Sequence, residues 1–99
     1  MTKIERIIKE WTSKVNALRC KDVVTVLEDL GFTVRETGNG GHRVFDHGGL
    51  PSFAGSNFDG GHGANAEVKA CYIRNILKVM RNYKDELDDS DSDDQSTID

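Results

Sequence analysis

The sequence predicts one small α+β domain in which helices cover one face of a three-stranded antiparallel sheet. Helical spacing of apolar residues near both ends, and a two-residue alternation in the middle, predict the order α-α-β-β-β-α. Nine of the ten glycines lie within residues 38–63, which indicates that the turns of the sheet are there. A chain of 99 residues supports one modest core but no deep substrate cavity.

Two helices are predicted before the sheet. Thr2 and Glu5 have the spacing of a capping box, and the apolar residues after them share one helical face: Ile4, Ile7, Ile8 and Trp11. A connector over residues 12–19 leads to a second helix over about 20–30, which Gly31 ends. Its apolar residues are Val23, Val26, Leu27 and Leu30.

A third helix is predicted to begin between Ala66 and Cys71. One face carries Ile73, Ile76, Leu77, Met80 and Tyr83, and another carries Arg74, Lys78 and Arg81 at spacings i, i+4 and i+7. A basic face of this kind is either an ordinary solvated surface or a surface that binds phosphate.

Three strands are predicted over residues 32–37, 42–46 and 50–54. Turns at 38–41 and 48–49 separate them, and Pro51 marks the third as an edge strand. Residues 55–66 contain four glycines and no periodicity, so this long connection is a candidate lid over the open face of the sheet.

The chain is interpreted as a helix and connector (1–18), a main domain (19–87) and an acidic tail (88–99), and its charge sets the tail apart from the rest. The tail carries six aspartates and no basic residue, whereas residues 1–87 carry 13 basic and 11 acidic residues, a net charge of +2. Such a tail is predicted to be disordered. It either increases solubility or competes with nucleic acid for a basic surface.

The two cysteines favour a reduced, cytoplasmic protein. Cys20 and Cys71 lie in predicted helices and have no metal-ligand spacing, so neither a disulfide framework nor a bound metal is expected. No signal sequence follows Met1 and no stretch is long and apolar enough to span a membrane, so membrane association is not expected.

The histidines are the candidate catalytic residues, because histidine exchanges protons near neutral pH. His42 follows a glycine-rich turn and begins the second strand, so it is either the centre of an active site or a residue that caps the turn. His47 ends that strand on the opposite face and is assigned a mainly structural role. His62, in the long loop, is a possible second acid or base, or an ordinary exposed histidine.

Aromatic side chains that stack on bases are scarce in this sequence. Phe53 and Phe58 are the only candidate exposed rings, and either is equally consistent with the core. Weak base specificity is therefore expected of any RNA-binding activity.

Several short motifs occur in a characteristic order. They are Leu-Gly-Phe at 30–32, Gly-x-His-x-x-Phe at 40–45, Gly-Leu-Pro at 49–51, Gly-Gly at 60–61, and Tyr-Ile-x-x-Ile-Leu-x-x-Met at 72–80. In this combination the chain resembles the HicA (YcfA-like) family of bacterial toxins over roughly residues 19–86.

The resemblance implies a double-stranded-RNA-binding-domain-like fold and an endoribonuclease that cleaves mRNA and is neutralised by a HicB-like antitoxin. It also implies that His42 is the catalytic residue, the first histidine of the family's Gly-Ser-His-His motif. This chain has Gly41 in place of the serine and Arg43 in place of the second histidine. The candidate RNA-binding residues are Gly40, Gly41, Arg43, Arg35, Arg74, Lys78 and Arg81.

The chemistry that this implies needs proton transfer and charge stabilisation rather than a metal or a small-molecule cofactor. A histidine deprotonates the 2′-hydroxyl of RNA or protonates the leaving 5′-oxygen, while arginine and lysine hold the phosphate. Two other functions remain open at this point: an RNA-binding module without catalytic activity, and a domain whose open sheet face docks an antitoxin-like protein.

Overall fold

The computed structural model describes residues 2–38 and 40–87, and it confirms the predicted element order. The predicted acidic tail, residues 88–99, lies outside the described residues. The elements are α1 (Lys3–Ser13), α2 (Cys20–Asp29), β1 (Thr33–Glu36), β2 (His42–Asp46), β3 (Ser56–Asp59) and α3 (Ala70–Asn82).

The capping box predicted at the start of α1 is present. The Thr2 hydroxyl accepts a hydrogen bond from the Glu5 backbone N–H at 3.3 Å, and the Glu5 carboxylate accepts one from the Thr2 N–H at 3.0 Å. After α2, Gly31 has a φ of 96°, a left-handed conformation that lets the chain turn directly into β1.

The sheet is an antiparallel meander with strand order β1-β2-β3. Phe45, at its centre, pairs with Val34 on one side and with Ser56 on the other. Phe45 and Phe58 are buried, whereas no strand residue on the opposite face is. One face of the sheet therefore packs on the helices and the other is open.

The predicted third strand over residues 50–54 is wrong, because those residues form turns. The Leu50 N–H bonds to the His47 carbonyl at 3.2 Å, and the Phe53 N–H bonds to the Leu50 carbonyl at 3.0 Å. The third strand is β3, which pairs with β2 in the register His42 with Asp59 and Phe45 with Ser56. The connection from the sheet to α3 consequently begins at Gly60.

The helices share a single core. Ile4 and Trp11 of α1 belong to the same buried cluster as Ile73 and Met80 of α3 and Phe45 of the sheet. Among the described residues, no helix has the length and apolar character needed to cross a membrane.

Candidate functional site

His42 lies at the start of β2 on the open face of the sheet. Directly paired residues of antiparallel strands point to the same face, so His42 shares its face with Asp59 of β3. The other strand residues on this face are Thr33, Arg35, Val44, Asp46 and Asn57. The imidazole of His42 is half-buried and remains accessible from this side.

Thr37 holds the imidazole from the β1 side. Its Oγ1 lies 3.2 Å from His42 Nδ1, and its backbone N–H donates to the His42 carbonyl at 3.3 Å. Nδ1 is therefore engaged in a contact within the protein, whereas Nε2 points away from Thr37. Sequence analysis did not identify this partner, because the role of Thr37 depends on the pairing at the end of the hairpin.

Asp59 brings a carboxylate to the opposite side of His42. Directly opposed residues have Cβ atoms about 4.5–5.5 Å apart, which is within reach of an interaction between carboxylate and imidazole. Asp59 Oδ1 also accepts a hydrogen bond from the Gly61 N–H at 2.9 Å. The position of Asp59 opposite His42 could not be predicted from the sequence, because the incorrect third strand gave no register for β3.

Two glycine-containing segments cross closely beside His42. The Gly60 N–H donates to the Gly41 carbonyl at 2.8 Å, and a Cβ atom added to Gly41 would overlap the backbone of Gly61. The serine of the Gly-Ser-His-His motif would therefore not fit at position 41 in this chain. Gly41 is explained by this close approach of two backbones.

The loop that carries His62 is attached to α2. The first N–H groups of α2, those of Cys20 and Lys21, donate to the carbonyls of Ala66 and Ala64 at 2.8 and 2.9 Å. His62 is exposed, and its Cε1 atom would lie 3.6 Å from a Cβ added to Gly40. The candidate lid over residues 55–66 is therefore wrong, because Ser56–Asp59 forms β3 and the remaining loop is bonded to α2, with His62 beside the turn that precedes His42.

The candidate cations of the sheet divide between its two faces. Arg35 shares the open face with His42, where its Nη2 pairs with Asp46 Oδ2 at 3.0 Å. Arg43 points to the covered face, and its side chain is only 17% exposed. Its guanidinium bonds to the carbonyl of Gly41 at 3.2 Å and to Glu36 at 3.4 Å. Arg43 therefore supports the turn from beneath and does not share the open face with His42.

The α3 cations lie in the helical layer behind the sheet. Asn75 Nδ2 bonds to Ser56 Oγ at 3.0 Å, which identifies the flank of α3 next to β3. Arg81 Nη2 instead donates to Thr12 Oγ1 of α1 at 3.0 Å, and Arg74 and Lys78 are exposed. The structure therefore does not bring Arg74, Lys78 and Arg81 together with His42.

His47 is held in a structural position, as its strand position predicts. Its Nε2 lies 2.9 Å from the Leu30 carbonyl, and its Nδ1 accepts the Gly49 N–H at 2.9 Å. Since Nδ1 accepts, Nε2 carries the proton and donates to Leu30. The ring also packs edge-on against Phe32, with centroids 4.8 Å apart.

Neither candidate stacking ring is exposed. Phe58 is fully buried, and Phe53 is half-buried against Phe32, Phe45 and Tyr83. Within the described ranges, no group of three or more histidine, cysteine or acidic residues is arranged to hold a metal ion.

These residues assemble a small site that is suited to proton transfer. An accessible imidazole contacts Thr37 through Nδ1 and shares its face of the sheet with Asp59 and Arg35. Comparison of the chain with protein-family models, with curated proteins and with solved structures found no match.

Proposed function

We propose that this protein is a toxin-type endoribonuclease that cleaves mRNA without a metal, with His42 as its acid/base residue. The observation that carries the proposal is the position of His42, which is accessible on the open sheet face between Thr37 and Asp59. The ordered motifs that resemble the HicA family supply the reaction class, and a double-stranded-RNA-binding-domain-like fold is part of the same proposal.

The reaction is an internal transesterification of the RNA backbone. His42 Nε2 removes the proton from a 2′-hydroxyl, the 2′-oxygen attacks the adjacent phosphorus, and the 5′-oxygen leaves with a proton. The products carry a 2′,3′-cyclic phosphate and a 5′-hydroxyl. A proton donor at the leaving oxygen is also required, and His62 is the candidate because it lies beside the turn that precedes His42.

The groups that bind the phosphate lie near the turn that precedes His42. Arg35 is the only lysine or arginine among the described strand residues on the open face, and its side chain is 63% exposed despite the pair with Asp46. Gly40 and Gly41 have no side chains, so their backbone allows the phosphate to approach closely. Contact with RNA at this face therefore depends mainly on one arginine and on the turn.

We further propose that the protein acts in the cytoplasm, where mRNA is available, and that a HicB-like antitoxin inhibits it. An antitoxin seated on the open sheet face would cover His42 and Arg35 together. Inhibition of growth when the protein is produced alone, with rescue by the neighbouring reading frame, is the expected cellular result.

The test is incubation of the purified protein with RNA in the presence of EDTA, followed by analysis of the new ends. The proposal predicts 2′,3′-cyclic phosphate ends from the native chain and at least a 100-fold lower rate from His42→Gln, about the contribution of one general acid or base. His47→Gln is the matched control, because it removes a histidine on the covered side of the sheet.

Three outcomes would reject the proposal. They are RNA that stays intact with the native protein, cleavage that EDTA abolishes, and cleavage that persists at the native rate in His42→Gln. RNA binding that weakens with salt but yields no new ends would instead indicate a module without catalytic activity.

A second function is favoured by the charges on the open face. Asp46 lies at the opposite end of β2 from His42, where it pairs with Arg35, and a shallow depression of about 340 Å³ lies beside Asp46 and Asn57. Acidic groups repel RNA, so this end of the face is better suited to docking a protein with basic side chains. A partner whose binding is weakened by Asp46→Lys, with no RNA cleavage by the native chain, would support this function.

A further inference from the structure

Three cations form an exposed row on α3, here called the α3 stripe: Arg74, Lys78 and Arg81. They recur at i, i+4 and i+7, so they follow one another along one side of the helix over about 10 Å. All three are exposed, and they lie in the layer behind the sheet rather than at His42.

The α3 stripe has little acidic compensation from the described residues. No ion pair of Arg74, Lys78 or Arg81 is present among residues 2–38 and 40–87, and Arg81 is bonded only to the hydroxyl of Thr12. The two acids of α1 are each paired with a lysine, Glu5 with Lys84 at 3.5 Å and Glu10 with Lys14 at 2.9 Å. Asp85 is one turn beyond Arg81, so the net charge along this flank stays positive.

The chain itself contains a segment of the complementary charge. Residues 88–99 follow the buried Leu87 and carry six aspartates with no basic residue, five of them within 88–94. From Leu87 back to Arg74 is about 20 Å along a helix, at 1.5 Å per residue. Seven extended residues span about 23 Å, so residues 88–94 are long enough to run back along the whole stripe.

We propose that residues 88–94 bind the α3 stripe of the same chain and that this intramolecular contact competes with RNA for it. The docking half of the proposal is independent of any activity. The competition half rests on the proposed function, since it assumes that the protein binds RNA and that the bound RNA extends from the open face to the α3 stripe.

Tethering explains why weak charge pairs suffice. Each exposed ion pair contributes little on its own. A segment that begins only seven residues after Arg81 nevertheless acts at an effective concentration on the order of millimolar. RNA must displace it to reach the stripe, so the tail reduces RNA affinity most strongly at low salt.

Docking is tested without RNA by NMR of the arginine side chains. The native chain is compared with a variant in which all six tail aspartates are asparagine. The substitution is expected to shift the Nε–Hε signals of Arg74 and Arg81 and to leave that of Arg6 unchanged. Raising the salt concentration should remove the difference between the two chains. Unshifted stripe signals, or an equal shift at Arg6, would overturn the docking.

Competition is tested by a double-mutant cycle with a labelled oligouridylate as the probe. The variant with all six tail aspartates changed to asparagine is expected to bind the probe about three- to thirtyfold more tightly than the native chain at low salt. This is the range that a few exposed charge pairs supply. The same tail should change affinity by less than about twofold when the stripe carries Arg74→Gln, Lys78→Gln and Arg81→Gln.

A matched control removes three cations elsewhere, with Arg6→Gln, Lys9→Gln and Lys21→Gln, all at exposed positions. The tail effect should persist in this background. An equal tail effect in the stripe and control backgrounds would show only long-range repulsion and would overturn the competition. If no form binds the probe, the competition falls together with the proposed function, while the NMR shifts still decide the docking.

Discussion

His42 and His47 lie at the two ends of β2 and have opposite surroundings. His42 begins the strand on the open face, where one ring nitrogen contacts Thr37 and the ring is accessible. His47 follows the strand on the covered side, where both ring nitrogens bond to backbone groups and the ring packs on Phe32. Their positions in the sequence differ by five, an odd number, so the pleat directs them to opposite faces.

The difference shows that the glycines near the two histidines leave room for different groups. Gly31 leaves room for His47, because a Cβ there would lie 2.7 Å from His47 Nε2. Gly41 instead leaves room for the backbone of Gly61, which brings β3 and Asp59 against His42. One glycine thus fixes a structural histidine, and the other assembles the surroundings of an accessible one.

The largest expected effect is on the RNA cleavage rate, and it concerns His42. His42→Gln should lower the RNA cleavage rate by about 10²- to 10⁴-fold. It should reduce the free energy of unfolding by less than about 1 kcal/mol, because only one side-chain contact is lost. Initial cleavage rates and urea unfolding of the same preparations provide both numbers. A large stability loss with unchanged cleavage would reverse the assignment of the two residues.

Gly41→Ser tests whether the close crossing assembles the site. The added side chain would overlap Gly61, and relieving such overpacking costs about 1–3 kcal/mol of stability. The matched control is Gly48→Ser in the other hairpin turn, where a Cβ meets nothing within 4 Å. Equal thermal stability of the two variants would show that the crossing does not constrain position 41.

His47→Leu tests the structural role of the second histidine. The substitution keeps an apolar contact with Phe32 but leaves the Leu30 carbonyl and the Gly49 N–H without their partner, at a cost of about 1–2 kcal/mol. His62→Leu, at an exposed position, should stay within about 0.5 kcal/mol of the native chain in urea unfolding. Similar losses in both variants would contradict a specific role for His47.

Asp59→Asn tests the carboxylate that faces His42. Asparagine keeps the size and can still accept the Gly61 N–H, so the fold should remain intact. Loss of the negative charge beside His42 is expected to slow cleavage about three- to tenfold, equivalent to about 1 kcal/mol. Asp46→Asn, at the far end of the same face, is the matched control. A loss in the control as large as in Asp59→Asn would contradict a specific partnership.

The smallest expected effect concerns Glu5 at the start of α1, away from both histidines. Hydrogen bonds from the Thr2 backbone and hydroxyl, and then the charge of Lys84, hold the pKa of Glu5 below its ordinary value of 4.5. A lowered folded-state pKa means that the stabilisation is present above pH 4.5 and is lost as the pH falls through the folded-state value. Glu5→Gln should flatten the stability profile in that acidic range only, as followed by thermal unfolding.

Periodicity predicted most of the fold because most elements have a clear apolar pattern. The four-residue spacing of α2 and α3 and the glycine turn before β2 gave boundaries close to those observed. The third strand was missed because Ser56–Asp59 contains a single apolar residue, Phe58, which produces no alternation. Leu50 and Phe53 led to the incorrect strand over residues 50–54, because both direct their side chains to the core although they lie in turns.

The site was predictable only where it depends on one short segment. His42 was found because the turn and the residue it precedes are adjacent in sequence. Asp59 depends on the register between β2 and β3, and the need for glycine at position 41 depends on contact with residue 61. Neither relation is encoded by spacing. Arg43 differs, because it lies two residues before Phe45 and strand alternation alone predicts that it points inward or towards the sheet edge.

The most direct test of the account follows both imidazoles by NMR while the chain is titrated with fully 2′-O-methylated RNA. This ligand has no free 2′-hydroxyl, so it reports binding without cleavage. The account predicts that the ring signals of His42 shift on binding and that those of His47 do not. Shifts at His47 alone, or bound RNA that leaves His42 unchanged, would contradict the assignment of the open sheet face as the RNA site.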